Sequence, residues 1–120
     1  MAHQKPVPDG VSTHEALEPH FLGQQVGPAA DFFHAAFRPE LSALPEVERA
    51  YFCKLQYPSG EGAAAVCVVS TIGADMRIVE ALATVIRQNL DANFHIDILF
   101  LSPSLENSMR TVCQPFYVRV

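Results

Sequence analysis

The chain has 120 residues, 49% of them hydrophobic and 18% charged, which is the size and composition of one domain with a packed core rather than of a disordered chain. Eight Lys and Arg against 13 Asp and Glu give a net charge of −5, which argues against nucleic acid or an anionic membrane surface as partner, since both are met with basic side chains. Its three Cys stand in no metal-ligand spacing and fit free cytosolic thiols better than a disulfide-stapled secreted domain; no apolar run approaches the roughly 20 residues of a membrane span.

The first segment, residues 1–26, is broken by Pro6, Pro8, Gly10, Pro19 and Gly23 and contains no apolar h-region, so an extended or partly ordered arm without a signal peptide is expected. A short helical turn over His14–Phe21 is the only regular structure it suggests. The first clear helix begins near Ala29, where Phe32, Phe33, Ala36, Phe37, Leu41 and Leu44 recur at helical spacing. Pro39 lies inside that pattern and predicts a kink or a split, because it lacks an amide donor.

Val47–Tyr57 alternates as a strand, with Val47, Tyr51, Cys53, Leu55 and Tyr57 on one face. Pro58–Gly62 is a turn, and Ala63–Ser70 is an almost wholly apolar strand, so the two make an antiparallel hairpin. Asp75 caps a second helix from Met76 to about Leu90, with Ile78, Val79, Leu82, Val85 and Ile86 as its buried stripe. Asp91–Asn93 turns the chain into a third strand, Phe94–Leu101, which a right-handed crossover sets parallel to the strand before the helix. Ser104 is the expected cap of a short last helix, Leu105 to about Val112. The fold class is therefore α/β: a small mixed sheet of three or four strands, an antiparallel hairpin plus a parallel β-α-β crossover, with helices packed on it.

Two stretches carry a family resemblance. Leu44-Pro45-Glu46-Val47-Glu48-Arg49-Ala50-Tyr51 resembles the passage from helix to strand in the C-terminal domain of the bacterial SseB (enhanced serine sensitivity) proteins, and Pro115-Phe116-Tyr117-Val118-Arg119 is similar to that family's ending. The likeness runs from about Gly27 to Val120 and implies one domain over 27–120 and a bacterial cytosolic setting; it carries over no active-site residues. The family's usual preceding domain has no counterpart in the short arm, so the chain resembles the C-terminal domain alone.

The candidate chemistry is sparse. A register with Tyr57 facing Ala63 places Cys53 opposite Cys67, a candidate redox pair, although two small buried hydrophobes would look the same. His95 and Asp97 share a strand face and could orient one another, with no third group identifiable; a polar edge is the plainer reading. His14, Glu15 and His20 could contribute to a metal site, although a solvated arm is the plainer expectation, and the glycines form no phosphate loop. Phe32, Phe33 and Phe37 are more aromatic surface than one helix stripe needs, and Phe33, Phe37 and, near the terminus, Tyr117 are the expected protein-contact residues. With no catalytic constellation and no cofactor motif, the leading expectation is a non-catalytic binding or regulatory module working through a protein partner or self-association, without nucleic acid or membrane. The alternative is a small-ligand or anion binder, or an enzyme, with a pocket at the C-terminal ends of the parallel strands among Ser70, Thr71, Gly73, Ser102 and Ser104.

Overall fold

A computed structural model describes residues 19–89 and 95–120. The elements are β1 (His20–Gln24), α1 (Pro28–Ser42), β2 (Val47–Gln56), β3 (Gly62–Ser70), α2 (Met76–Asn89), β4 (Ile96–Phe100), α3 (Pro103–Arg110) and β5 (Tyr117–Val118). They form the expected α/β fold, a mixed sheet with three helices on it. The sheet has five strands rather than three or four.

Strands β2 and β3 pair antiparallel, β3 and β4 pair parallel, and the order is β1-β2-β3-β4. The two extra strands lie end to end along the outer edge of β2. β1 pairs antiparallel with residues 53–56, and β5 with Arg49 and Ala50. The Gln24 side-chain oxygen accepts from the Gln114 amide at 2.9 Å and ties the two together. Part of the expected arm is thus built into the sheet. The expected turn over His14–Phe21 falls largely outside the described residues, and Phe21, at its end, is buried in β1.

Both faces of the sheet are covered. On one, α1 and α2 bury Phe33, Phe37, Leu41, Ile78, Leu82 and Val85 against Ala50, Phe52, Val66, Val68 and Ile98. On the other, Met109 of α3 with Phe21 and Cys113 covers Tyr51, Cys53, Leu55, Cys67 and Leu99. Such burial contributes about 25 cal/mol per Å² of apolar surface and is the main force holding the layers together.

Three local expectations need correcting. Helix α1 runs unbroken through Pro39. The missing amide there costs about 3 kcal/mol, but Phe33 and Phe37 before it and Leu41 after it are all buried on the same face, and splitting the helix would give that up. Val47 does not share a face with Tyr51: the register shifts between Val47 and Arg49, and this bulge turns Val47 to the α1/α2 side. Ser102, not Ser104, caps α3, its hydroxyl accepting from the Leu105 amide at 3.2 Å.

Candidate functional site

The hairpin closes one residue earlier on each strand than expected. Gln56 faces Gly62 and Leu55 faces Ala63, because Tyr57 is taken into the turn, where its amide donates to the Glu61 carbonyl at 2.8 Å. Gly60 completes that turn at φ +96°, a conformation that favours glycine. The pairing has slid by two residues, so every side chain keeps its face. Cys67 therefore faces Tyr51, and Cys53 faces Ala65; the two cysteines are diagonal neighbours rather than opposed. Their sulfurs still lie 3.8 Å apart. Both are free and fully buried, and burial, followed by the bond to Cys53, pushes the Cys67 thiol well above its ordinary value. Cys113 is buried beside the same layer and is pushed up to about 12 by burial. Burial thus holds Cys67 and Cys113 toward the protonated, less nucleophilic form.

His95 and Asp97 do meet, and they have the third group that sequence spacing left out. His95 Nε2 lies 2.5 Å from Asp97 Oδ1, and the Tyr57 hydroxyl donates to Asp97 Oδ2 at 2.5 Å. Asp97 is 9% exposed, whereas the His95 side chain is 68% exposed. Burial, then the bond to Asp97, pushes the Tyr57 hydroxyl up. The cluster sits at the N-terminal ends of the parallel strands. On the opposite, α1/α2 face of the sheet at this end opens a cavity of about 300 Å³, whose lining includes Val26, Ala30, Phe33, Phe52, Ala64 and Ile96.

The residues singled out at the other end are occupied locally. The Ser70 hydroxyl accepts from the Ile72 amide at 3.1 Å, and Ser102 serves α3 as cap. Gly73 turns the chain at φ +73°, and none of Ser70, Thr71, Gly73, Ser102 or Ser104 lines that cavity or a larger one of about 560 Å³ between β1 and α3. Phe33 and Phe37 are 6% and 0% exposed, so they are core and not contact surface; the helix turns Phe32 outward instead, at 50%. Tyr117 is half-buried, with the Arg119 guanidinium 5.9 Å from its ring centre. Of the scattered metal candidates, His14 and Glu15 lie outside the described residues, and His20 is in β1. Among the described residues no three His, Cys, Asp or Glu side chains are placed so that they could hold a metal ion.

Two networks were not legible from spacing. Glu106 of α3 is 7% exposed and accepts from Arg49 Nε at 2.6 Å and Nη2 at 3.0 Å, and from the Tyr51 hydroxyl at 2.6 Å. The bidentate Arg49 guanidinium, helped by Tyr51, holds the Glu106 carboxyl below its ordinary value of 4.5 against the opposing effect of burial. A carboxyl depressed in the fold stabilises it above the unfolded value, and that contribution is lost as pH falls below about 4.5 through the folded value. Glu106→Gln is therefore expected to cost about 2 kcal/mol near neutrality, and the difference from the parent in urea unfolding should shrink between pH 5 and pH 3. A difference that does not change with pH would remove this account.

The second network explains the closing motif. Phe116 stacks on His34 of α1 with ring centres 4.6 Å apart, and Arg38 Nε donates to the Phe116 carbonyl at 3.2 Å. Arg119 donates to the carbonyls of Leu41, Ser42, Leu44 and Val47 at 2.7–3.2 Å, where α1 ends and β2 begins. The two stretches that carry the family resemblance, Leu44–Tyr51 and Pro115–Arg119, are thus bound to one another by their backbones and by this arginine.

Comparison with known proteins places both stretches within one family match. No curated protein and no solved structure gives a match. The family model described as SseB protein C-terminal domain matches residues 21–119, which takes in β1 through β5, both ends of the sheet and the Arg119 motif. With nearly the whole described fold inside that match, this chain belongs to the SseB protein C-terminal domain family.

Proposed function

We propose that this domain is a non-catalytic module of a bacterial cytosolic protein and that it acts through protein contacts. The observation that carries the reading is that three large apolar side chains stand exposed near the end of the sheet where β2 begins. Ile72 and Met76, at the turn from β3 into α2, are 50% and 65% exposed. The Thr71 amide donates to Glu46 there, and β5 brings Val118, 51% exposed, opposite Arg49. Isolated exposed apolar residues are ordinary, but several at one end of a small sheet fit a contact surface. This end takes over the role that Phe33 and Phe37 were expected to fill, with Tyr117 beside it. Free buried thiols support a reducing compartment. No helix among the described residues is long and apolar enough to cross a membrane.

The test places photo-activated cross-linkers at positions 72 and 76 in bacterial cells, with Arg87, on the exposed side of α2, as comparison. One discrete adduct, a partner or a second copy, is expected from 72 and 76 and not from 87. No adduct, or equal capture from all three positions, overturns the proposal.

A further inference from the structure

The two faces of the sheet are covered unequally. Among the described residues, α1 and α2, of 15 and 14 residues, lie on one face, whereas α3, of 8 residues, is the helix on the other. Under α3 and the residues that follow it lie all three cysteines of the chain. Cys53 and Cys67 are fully buried with their sulfurs 3.8 Å apart, and Cys113 is nearly so. The protein-contact reading uses none of these groups.

Helix α3 is fastened to the sheet at few points. Met109 is its fully buried apolar anchor. Glu106 is its polar one, accepting from Arg49 and Tyr51 of β2 at 2.6–3.0 Å. Bonds of this charge-assisted kind are about twice as strong as neutral ones, so one side chain carries a large share of the attachment. On the opposite flank the helix does not close on β1. The open groove of about 560 Å³ runs between Leu105 and Val112 on one side and Phe21 and Leu22 on the other, and Leu22 and Val112 remain 51% and 38% exposed. A short element with little buried apolar contact opens at lower free energy than the whole fold. We infer that α3 is a cover over the three thiols, latched by Glu106, and that they meet soluble electrophiles by its lifting, without unfolding of the α1/α2 face. While the cover is down, burial keeps Cys67 and Cys113 in the less nucleophilic form; lifting returns them to water, where more of each is thiolate.

The experiment is alkylation of the folded full chain by iodoacetamide at neutral pH, which forms a carbon–sulfur bond at each cysteine and releases iodide and a proton. Peptide mass spectrometry reads the rate at each position. Glu106→Gln is expected to speed alkylation of Cys53, Cys67 and Cys113 about thirtyfold, the equivalent of about 2 kcal/mol in the opening equilibrium. Tyr51→Phe, which removes one of the three bonds, should speed it by a smaller factor. Phe37→Ala, which weakens the other face, should leave the rate close to that of the parent; if that variant does not fold, Phe37→Leu makes the same comparison. A rate that rises with the Phe37 variant as much as with Glu106→Gln overturns the proposal, because the thiols would then be reached only through unfolding of the whole domain. So does an unchanged rate in both Glu106→Gln and Tyr51→Phe, or a folded parent that is alkylated as fast as the same chain in urea.

Discussion

Replacing Phe37 with Ala is expected to lower the unfolding free energy by about 3–5 kcal/mol and to leave the association state of the folded protein as it was. Phe37 is fully buried where α1, β2 and the C-terminal segment meet; its ring centre lies 5.7 Å from that of Phe33 and 6.2 Å from those of Phe52 and Phe116. Truncation removes the transfer energy of the ring and leaves a cavity that three other rings cannot all move to fill. Small domains of this kind are stable by only about 5–15 kcal/mol, so the loss is a large part of the total, on the order of 10–20 °C in Tm. Phe37→Leu, which keeps most of the volume, should cost under about 1.5 kcal/mol. Phe32→Ala, on the exposed side of the same helix, should stay within about 0.5 kcal/mol. Urea unfolding of the three variants checks the order. If Phe37→Ala unfolds like the parent and only weakens an association, the assignment of this helix face to the core is wrong.

That contrast shows where sequence patterning reaches its limit. The spacing of α1 marks Phe32, Phe33 and Phe37 as aromatic positions of one helix, but a stripe has two margins, and which of them meets the sheet depends on how the helix is rolled. The roll is set by Phe52 and Phe116, residues far off in the chain. The hairpin, α2 and β4 were readable because their periodicity reports burial on both sides of a short, local unit. Strands β1 and β5 were not. Five residues containing Gly23 and two residues after Pro115 carry no usable alternation, and they become strands because the outer edge of β2 offers unpaired backbone groups.

The candidate site divides in the same way. His95 and Asp97 are two positions apart on a strand, so their meeting follows from period-two geometry. Tyr57 reaches Asp97 from the hairpin turn, 40 positions away, and nothing in the spacing points to it. The cysteines were brought to one face by alternation, while their offset depended on a turn that took in Tyr57. Glu106 and Arg49 are 57 positions apart, and only the docking of α3 on the sheet joins them. The family stretches were recognisable as residues before their purpose was: Pro115–Arg119 is a fastening of α1 to β2, not a piece of chemistry.

Arg119→Ala is the variant that tests that fastening, with an expected loss of about 3 kcal/mol. One guanidinium serves four carbonyls, of Leu41, Ser42, Leu44 and Val47, and most of these contacts are partly buried. A hydrogen bond to a charged group contributes about 1.5–3 kcal/mol. The four share one side chain and cannot be added, and water reaches the Ser42 carbonyl, so the sum of two such bonds is the reasonable ceiling. Arg119→Lys should recover only part of the loss, because an ammonium on a single carbon stem cannot fork between Val47 on one side and Leu41 and Leu44 on the other. The change should also be local in its first effect. Amide hydrogen exchange in the last turn of α1 and at Val47, Glu48 and Arg49 should quicken in Arg119→Ala before the amides of α2 do, since β5 is only two residues long and loses the side chain that holds it in place. Uniform quickening throughout the sheet, or Lys restoring full stability, would mean that Arg119 contributes charge alone rather than a capping geometry.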